Sequence, residues 1–294
     1  MKIGDQYDFD DNFKKEARLY QSIYRAKILK AECIDYGNRL IDGDAYLNYY
    51  LKLNVLEDKR KRYPNYSSKR DADMLRSEHI PFNVFSPLKL NKDLAKNTFN
   101  KLLGGIILEV KDIKIEHAPS PKENYLNDGT SFDTYIEFTH IDNSIGALGI
   151  EVKYTEQAYS LGKIEKGNIE NIDKPDSIYS LVTKKSNLYI ENSISDLIKD
   201  DFRQIWRNHI LGESMKQKRE LEHFISVILY PSGNTHFKEV LPKYKNLLNA
   251  DKKASVVDVT FEKLFDVYSE LNDKVEFKDW IEFLKKRYLT TNSL

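Results

Sequence analysis

Two short segments, 131–139 and 147–155, constrain the fold of this chain more than anything else in it. In the first, Phe132, Thr134, Ile136 and Phe138 alternate with Asp133, Tyr135 and Glu137; in the second, Ile150, Val152 and Tyr154 alternate with Glu151 and Lys153. Successive side chains of a strand point to opposite faces, so this alternation reads as strand in both segments. The linker His140-Ile141-Asp142-Asn143-Ser144-Ile145-Gly146 carries turn chemistry, and the two segments are expected to form an antiparallel hairpin. Each strand then has a mostly apolar face and a face with ionisable groups. If the apolar faces share one core, register forces Asp133, Glu151 and Lys153 onto the same side of the sheet.

The remaining segments supply a setting for this hairpin. Phe13, Ala17, Tyr20, Tyr24 and Ile28 recur at helical spacing, which predicts one long helix over 11–33 with Asp10 or Asp11 as N-cap. A second helix is expected over 45–55. The run 58–70, with Lys59-Arg60-Lys61-Arg62-Tyr63, is the most basic in the chain. It reads as a linker, either solvated or touching phosphates. A short helix interrupted near Pro81 is expected in 71–88, and a helix over 94–103 ends at Gly104-Gly105. Further strands are expected over 106–116, 224–230 and 255–260. A polar insertion covers 156–176, a long helix 194–217, and the chain ends in helices through Phe265 and Trp280. No repeat of fixed period is present. Helices, a strand meander, a long helix, then further strands and helices make an α/β or α+β core.

Two carboxylates on neighbouring strands repel one another unless a cation sits between them. Oxygen ligands of this kind favour Mg²⁺, which keeps several waters and binds one or two carboxylates together with substrate phosphate oxygens. A lysine beside such an ion positions or activates the attacking water and helps neutralise developing charge. The combination suits in-line hydrolysis of a phosphodiester.

Ser131-Phe132-Asp133 and Gly149-Ile150-Glu151-Val152-Lys153 resemble the two half-motifs of the PD-(D/E)XK nucleases, the superfamily that contains many restriction enzymes. Phe132 stands where the name-giving proline would be, a position that varies in the superfamily. The resemblance runs from about Leu75 to Asn234. It includes Phe82-Asn83-Val84-Phe85-Ser86-Pro87-Leu88, Glu116-His117-Ala118-Pro119-Ser120-Pro121, Glu151-Val152-Lys153-Tyr154-Thr155-Glu156 and Phe202-Arg203-Gln204-Ile205-Trp206-Arg207. It implies that Asp133 and Glu151 bind the metal, that the Val152 carbonyl adds a ligand and that Lys153 orients the nucleophile. Glu78 lies on what would be the first core helix, where many members supply an extra acidic ligand. Glu116 reads as a surface strand residue or as one that approaches the site from the preceding strand. Gln204 and Arg207, three apart on the long helix, share a face that reaches phosphate or the attacking water, unless both serve the packing of Phe202, Ile205 and Trp206.

The implied fold is α/β: a restriction-endonuclease-like central mixed β-sheet flanked by helices, with an N-terminal helical extension over 1–70 and the nuclease-like domain over 71–294. The implied reaction is Mg²⁺-dependent hydrolysis of DNA, Mn²⁺ serving as substitute, in bacterial defence or DNA processing. The expected substrate is double-stranded, and cutting both strands favours a homodimer. The alternatives are a catalytically degenerate nuclease fold that binds nucleic acid or protein, and an RNA-directed nuclease.

Composition is permissive. The chain has 294 residues and 46 basic against 46 acidic side chains, so any nucleic acid must be held by a local patch. The single cysteine, Cys33, excludes an internal disulfide framework and makes a reducing, cytoplasmic setting the expectation. No apolar run has the length of a membrane span or the form of a signal peptide. The six histidines show no tight ligand spacing, so histidine chemistry is not indicated. Neither GxxxxGK[ST] nor GxGxxG occurs, which argues against an ATPase or a dinucleotide enzyme.

Overall fold

The computed structural model describes residues 1–52, 54–55, 59, 63, 67–158 and 175–291. Most of the basic run 58–70 and of the insertion 156–176 therefore lies outside the described residues. Five strands form one sheet in the order of the chain: β1 (Ile107–His117), β2 (Phe132–His140), β3 (Ile145–Val152), β4 (His223–Tyr230) and β5 (Val256–Thr260). The β1–β2 and β2–β3 pairs are antiparallel, whereas β3–β4 and β4–β5 are parallel. The sheet is mixed, and the hairpin is where the alternation put it.

Helices cover both faces. α1 (Asn12–Tyr24), α2 (Ile80–Phe85), α3 (Lys92–Leu103), α7 (Phe261–Leu271) and α8 (Lys278–Tyr288) close over one face. There Ile136, Phe138, Leu148, Ile150, Val152, Val227 and Leu229 share a core with Phe85, Phe99, Phe265 and Trp280. α4 (Ile178–Ser186), α5 (Asp200–Gln217) and α6 (Thr235–Lys245) cover the other, where Tyr135, Ala147, Phe224 and Ile228 pack with Trp206, Ile210 and Tyr244. α1 is tied to the C-terminal helix: the Tyr20 hydroxyl donates to the Lys286 carbonyl, and Gln21 Nε2 donates to the Arg287 carbonyl and to the Tyr154 hydroxyl. No helix among the described residues is long and apolar enough to cross a membrane.

Several elements depart from the pattern-based reading. The long helix expected over 194–217 is broken. A single turn at Ile194–Leu197 is followed by extended Lys199, and α5 restarts with Asp200 and Asp201 in its first turn, where carboxylates favour a helix N-terminus. α1 is capped by Asp11 and ends at Tyr24, continuing as a π-helical turn, Arg25–Leu29. The first residues of the expected helix over 45–55 belong to a 3₁₀ stretch, Asp42–Asn48, and position 53 lies outside the described residues. Pro81 starts α2 instead of interrupting a helix, because a proline in the first turn has no amide whose loss would matter. α4 and α6 were not expected at all. Phe132 does not join the face of Ile136 and Phe138; its ring fills the slot above Gly149 with Phe224 and belongs to the α5 core.

The approach of α5 to the sheet depends on a glycine. A Cβ on Gly212 would stand 2.2 Å from the Phe224 ring, which is itself buried. Gly212→Ala should therefore overpack this contact and destabilise the protein by about 1–3 kcal/mol in a denaturant titration.

Candidate active site

Three carboxylates on β1, β2 and β3 form one row. Glu116 falls between the pairs Ile115↔Thr134 and His117↔Phe132, so it faces Asp133. Asp133 in turn lies one step beyond the Thr134↔Ile150 pair, opposite Glu151. Glu116 has positive φ, 55°, which kinks β1 at this residue. Asp133 stands where the β2–β3 ladder stops: the Val152 amide donates to Asp133 Oδ2 at 2.7 Å.

Charge crowding shows in the proton affinities. Burial, and then the carboxylates of Glu151 and Glu116, push the Asp133 carboxyl well above its ordinary range, against the opposing pull of Lys153 and the Val152 amide. Burial also raises Glu116, although the Tyr63 hydroxyl donates to its Oε2 at 2.6 Å. Burial alone would push the Lys153 ammonium down. The carboxylates of Glu151, Asp133 and Glu156 outweigh it, and the lysine is held in its charged form more firmly than a free one.

Lys153, which the alternation assigns to the face with ionisable groups, is buried, with 8% of its surface exposed. Its Nζ lies 2.6 Å from Glu151 Oε1 and donates to Gln204 Oε1 at 2.6 Å. Gln204 Nε2 donates back to Glu151 Oε1, and Asn208 Nδ2 donates to Glu151 Oε2. Gln204 and Asn208 are four apart on α5 and thus lie one above the other on the face that meets β3. Beside them opens a cleft lined by Glu151, Lys153, Gln157, Asp200, Asp201 and Gln204.

The segment after β3 is clamped from two sides. Glu156 accepts from the amides of Ser77 and Tyr154, both at 2.9 Å, and Asn234 Nδ2 donates to the carbonyls of Tyr154 and Glu156.

Asp133, Glu151, Lys153 and Gln204 are thus brought together, and Glu116 joins them. Glu78 is a neighbour of Glu116, but its carboxylate is paired with Arg70 and Arg76. Arg207 turns away from Gln204: its Nη2 donates to Asp128 Oδ2 at 3.0 Å and to Thr130 Oγ1 at 2.9 Å, and its Nε meets the Tyr179 hydroxyl at 3.2 Å. It fastens the loop that leads into β2.

Sequence reasoning missed two groups. Asn208 was signalled by its spacing from Gln204. His140, Asp142 and His223 converge at the far end of the sheet and form a group able to hold a metal ion. Spacing along the chain does not single out these histidines, and their convergence is a feature of the fold. The β3–β4 pairing, Gly146↔His223, creates the proximity.

The mixed five-stranded sheet flanked by helices is consistent with the α/β fold of a PD-(D/E)XK protein. The model of the PD-(D/E)XK nuclease superfamily matches residues 8–290, and the chain belongs to that superfamily. Its members are generally nucleases that use divalent metals. Comparison with curated proteins and with solved structures finds no significant match.

Two substitutions separate charge crowding from support. Asp133→Asn keeps an oxygen for the Val152 amide and removes one of the crowded charges, so melting of the metal-free variant should occur at or above the wild-type temperature. Arg207→Ala should cost about 2 kcal/mol, as expected for hydrogen bonds to a charged group, because Asp128 and Thr130 each lose a donor and keep only the Tyr179 hydroxyl as a partner among the described side chains. Melting of both variants without added metal checks these expectations.

Proposed function

We propose that the chain is a Mg²⁺-dependent endonuclease that hydrolyses double-stranded DNA, Mn²⁺ being able to substitute, in restriction or DNA processing. In this reading Asp133 and Glu151 hold the cation and Lys153 serves the attacking water. The observation that carries it is the carboxylate row with Lys153 Nζ 2.6 Å from Glu151 Oε1.

The donor set suits such a cation. Asp133 and Glu151 offer hard carboxylate oxygens from adjoining strands, and the Asp133 carboxyl is pushed up in part because Glu151 and Glu116 stand beside it. The cleft also carries Asp200 and Asp201, so a phosphodiester meets net negative charge there unless a cation offsets it. The cation, when bound, supplies charge neutralisation on the phosphoryl oxygens and acidifies water.

The chain's own residues do the rest. Glu151 and Gln204 hold Lys153 Nζ beside the cleft, where it donates to the attacking water and then faces the charge that develops on the phosphoryl oxygens. Gln204 is bonded to both Lys153 and Glu151, so it fixes their separation and contacts substrate from the cleft wall. Arg207 supports substrate binding through the loop it holds beside β2. Glu78 would serve as an additional ligand only by releasing Arg70 and Arg76.

Purified protein should nick or cut plasmid DNA with Mg²⁺ or Mn²⁺ and stop with chelator, while Lys153→Ala loses about 10²-fold or more in rate. Gln204 and Asn208 still donate to Glu151 in that variant, so its melting curve should show a folded protein. Wild-type rates in a folded Lys153→Ala protein would remove the lysine from the mechanism. DNA binding without cleavage under any metal would favour a non-catalytic binding module.

A further inference from the structure

The turn between β2 and β3 and the first residue of β4 bring three metal-binding side chains together at the end of the sheet opposite the carboxylate row. His140 Nδ1 lies 2.9 Å from Asp142 Oδ1, and His223 Nε2 lies 2.9 Å from Asp142 Oδ2. The two imidazoles stack with centroids 3.8 Å apart, and one ligand atom from each residue falls within 4.8 Å of the others. Asp142 is the bridge. Its orientation is set from outside the trio, because the Ser144 amide donates to Oδ1 at 2.9 Å and the Ser144 hydroxyl donates to the same oxygen. Metal sites commonly fix a ligating carboxylate by such outer hydrogen bonds.

We propose that His140, Asp142 and His223 form a binding site for a divalent transition cation, Zn²⁺ in the first instance. Two imidazoles and one carboxylate suit zinc, whose bonds to nitrogen and oxygen ligands are about 2.0–2.2 Å. Tetrahedral bonds of that length put ligand atoms roughly 3.4 Å apart, so the three side chains close on an ion by small rotations. Mg²⁺ is the wrong ion here, since it prefers an oxygen shell and keeps its waters. The His140 ring is largely covered, whereas Asp142 and His223 are half open to solvent, which leaves the fourth position to water.

The site's task follows from its position. His140 and Asp133 are seven residues apart on β2, roughly 23 Å at the usual rise of a strand. An ion at His140 cannot reach a phosphate held in the cleft by Glu151. It instead ties the β2–β3 turn to the start of β4, reinforcing the join already made where the Glu222 amide donates to the Ile145 carbonyl and the Ile145 amide donates to the Glu222 carboxylate. The join links the antiparallel half of the sheet to its parallel half. Zinc there is a staple for register.

The test uses full-length protein stripped with chelator and titrated with Zn²⁺, and with Co²⁺ for its visible spectrum, followed by melting curves. One equivalent of Zn²⁺ should bind and raise the melting temperature, and Co²⁺ should show bands of a nitrogen- and oxygen-ligated ion. Glu151→Gln should keep all of this. His223→Ala should lose it, with the apparent dissociation constant for Zn²⁺ raised at least ~10- to 100-fold. Asp142→Asn should behave likewise, and it replaces His223→Ala if that variant does not fold. Equal Zn²⁺ affinity in wild type and the folded variants would overturn the site. So would a lack of binding in wild type, or binding lost in Glu151→Gln but kept in His223→Ala, which would assign the ion to the carboxylate row.

Discussion

Three carboxylates in a single row across neighbouring strands are the constraint around which this molecule is arranged. Two unit charges one strand apart, about 5 Å, repel by roughly 3 kcal/mol at an effective dielectric of about 20. Glu116, Asp133 and Glu151 meet that repulsion where water has little access, and each is countered differently. Tyr63 donates to Glu116, a backbone amide donates to Asp133, and Glu151 takes Lys153, Gln204 and Asn208. Glu151 is ion-paired with Lys153. Asp133 has a raised proton affinity, set first by burial and then by the strain of having Glu151 and Glu116 beside it. A cation between Asp133 and Glu151 relieves the same strain, so the crowding itself favours metal binding over an empty site.

α5 makes the row tolerable, and its closeness to the sheet has a structural origin. Without a side chain at position 212, the helix rests directly on the Phe224 ring. That brings Gln204 and Asn208, further up the same helix, within hydrogen-bonding distance of a strand carboxylate. The clamps on the segment after β3 act in the same direction. Asn234 holds the carbonyls of Tyr154 and Glu156, so Lys153 is fixed from both its strand and its following loop. Asn83 does comparable work on the other face: it accepts from the Tyr50 amide and donates to the Asn48 carbonyl and the Tyr288 hydroxyl, joining the N-terminal segment to the last helix. Segments that resemble the nuclease superfamily in sequence thus include buried polar hubs as well as chemistry.

The sequence disclosed what depends on local periodicity. Alternation located β2 and β3, and their pairing carried Asp133, Glu151 and Lys153 together without any knowledge of the other strands. It said nothing of depth. Lys153 reads as part of a polar strand face, yet α5 covers that face, and only the tertiary arrangement supplies Gln204 and Ile205 beside it. Arg207 shows the same limit: helical spacing assigns it to the face of Gln204, while Asp128 and Thr130, 79 and 77 residues earlier, decide where its guanidinium goes. Pro242 lies inside α6 and disguises it as a break. His140 and His223 are separated by more than half the sheet's connectivity, so no local window contains both.

The two ends of the central strands are chemically distinct for a reason rooted in the ladder. β2 and β3 pair from Thr139↔Ile145 to Thr134↔Ile150, and there the regular bonding stops. Beyond it β3 stays with β4, where the Lys153 amide donates to the Leu229 carbonyl, but it parts from β2. Parting frees the Val152 amide, and Asp133 moves its carboxylate into the gap instead of leaving a buried donor unpaired. The carboxyl ends of the parallel strands β3 and β4 open at this same place, as crevices for ligands commonly do in α/β sheets. At the amino ends the hairpin turn is joined to the start of β4 by the hydrogen bonds between Ile145 and Glu222. An ion bound there meets solvent and side chains of the turn, whereas an ion in the carboxylate row meets a cleft. The strand ladder, by ending on one side and turning on the other, therefore separates an end that opens onto the cleft beside Glu151 and Lys153 from an end joined to β4 by the turn.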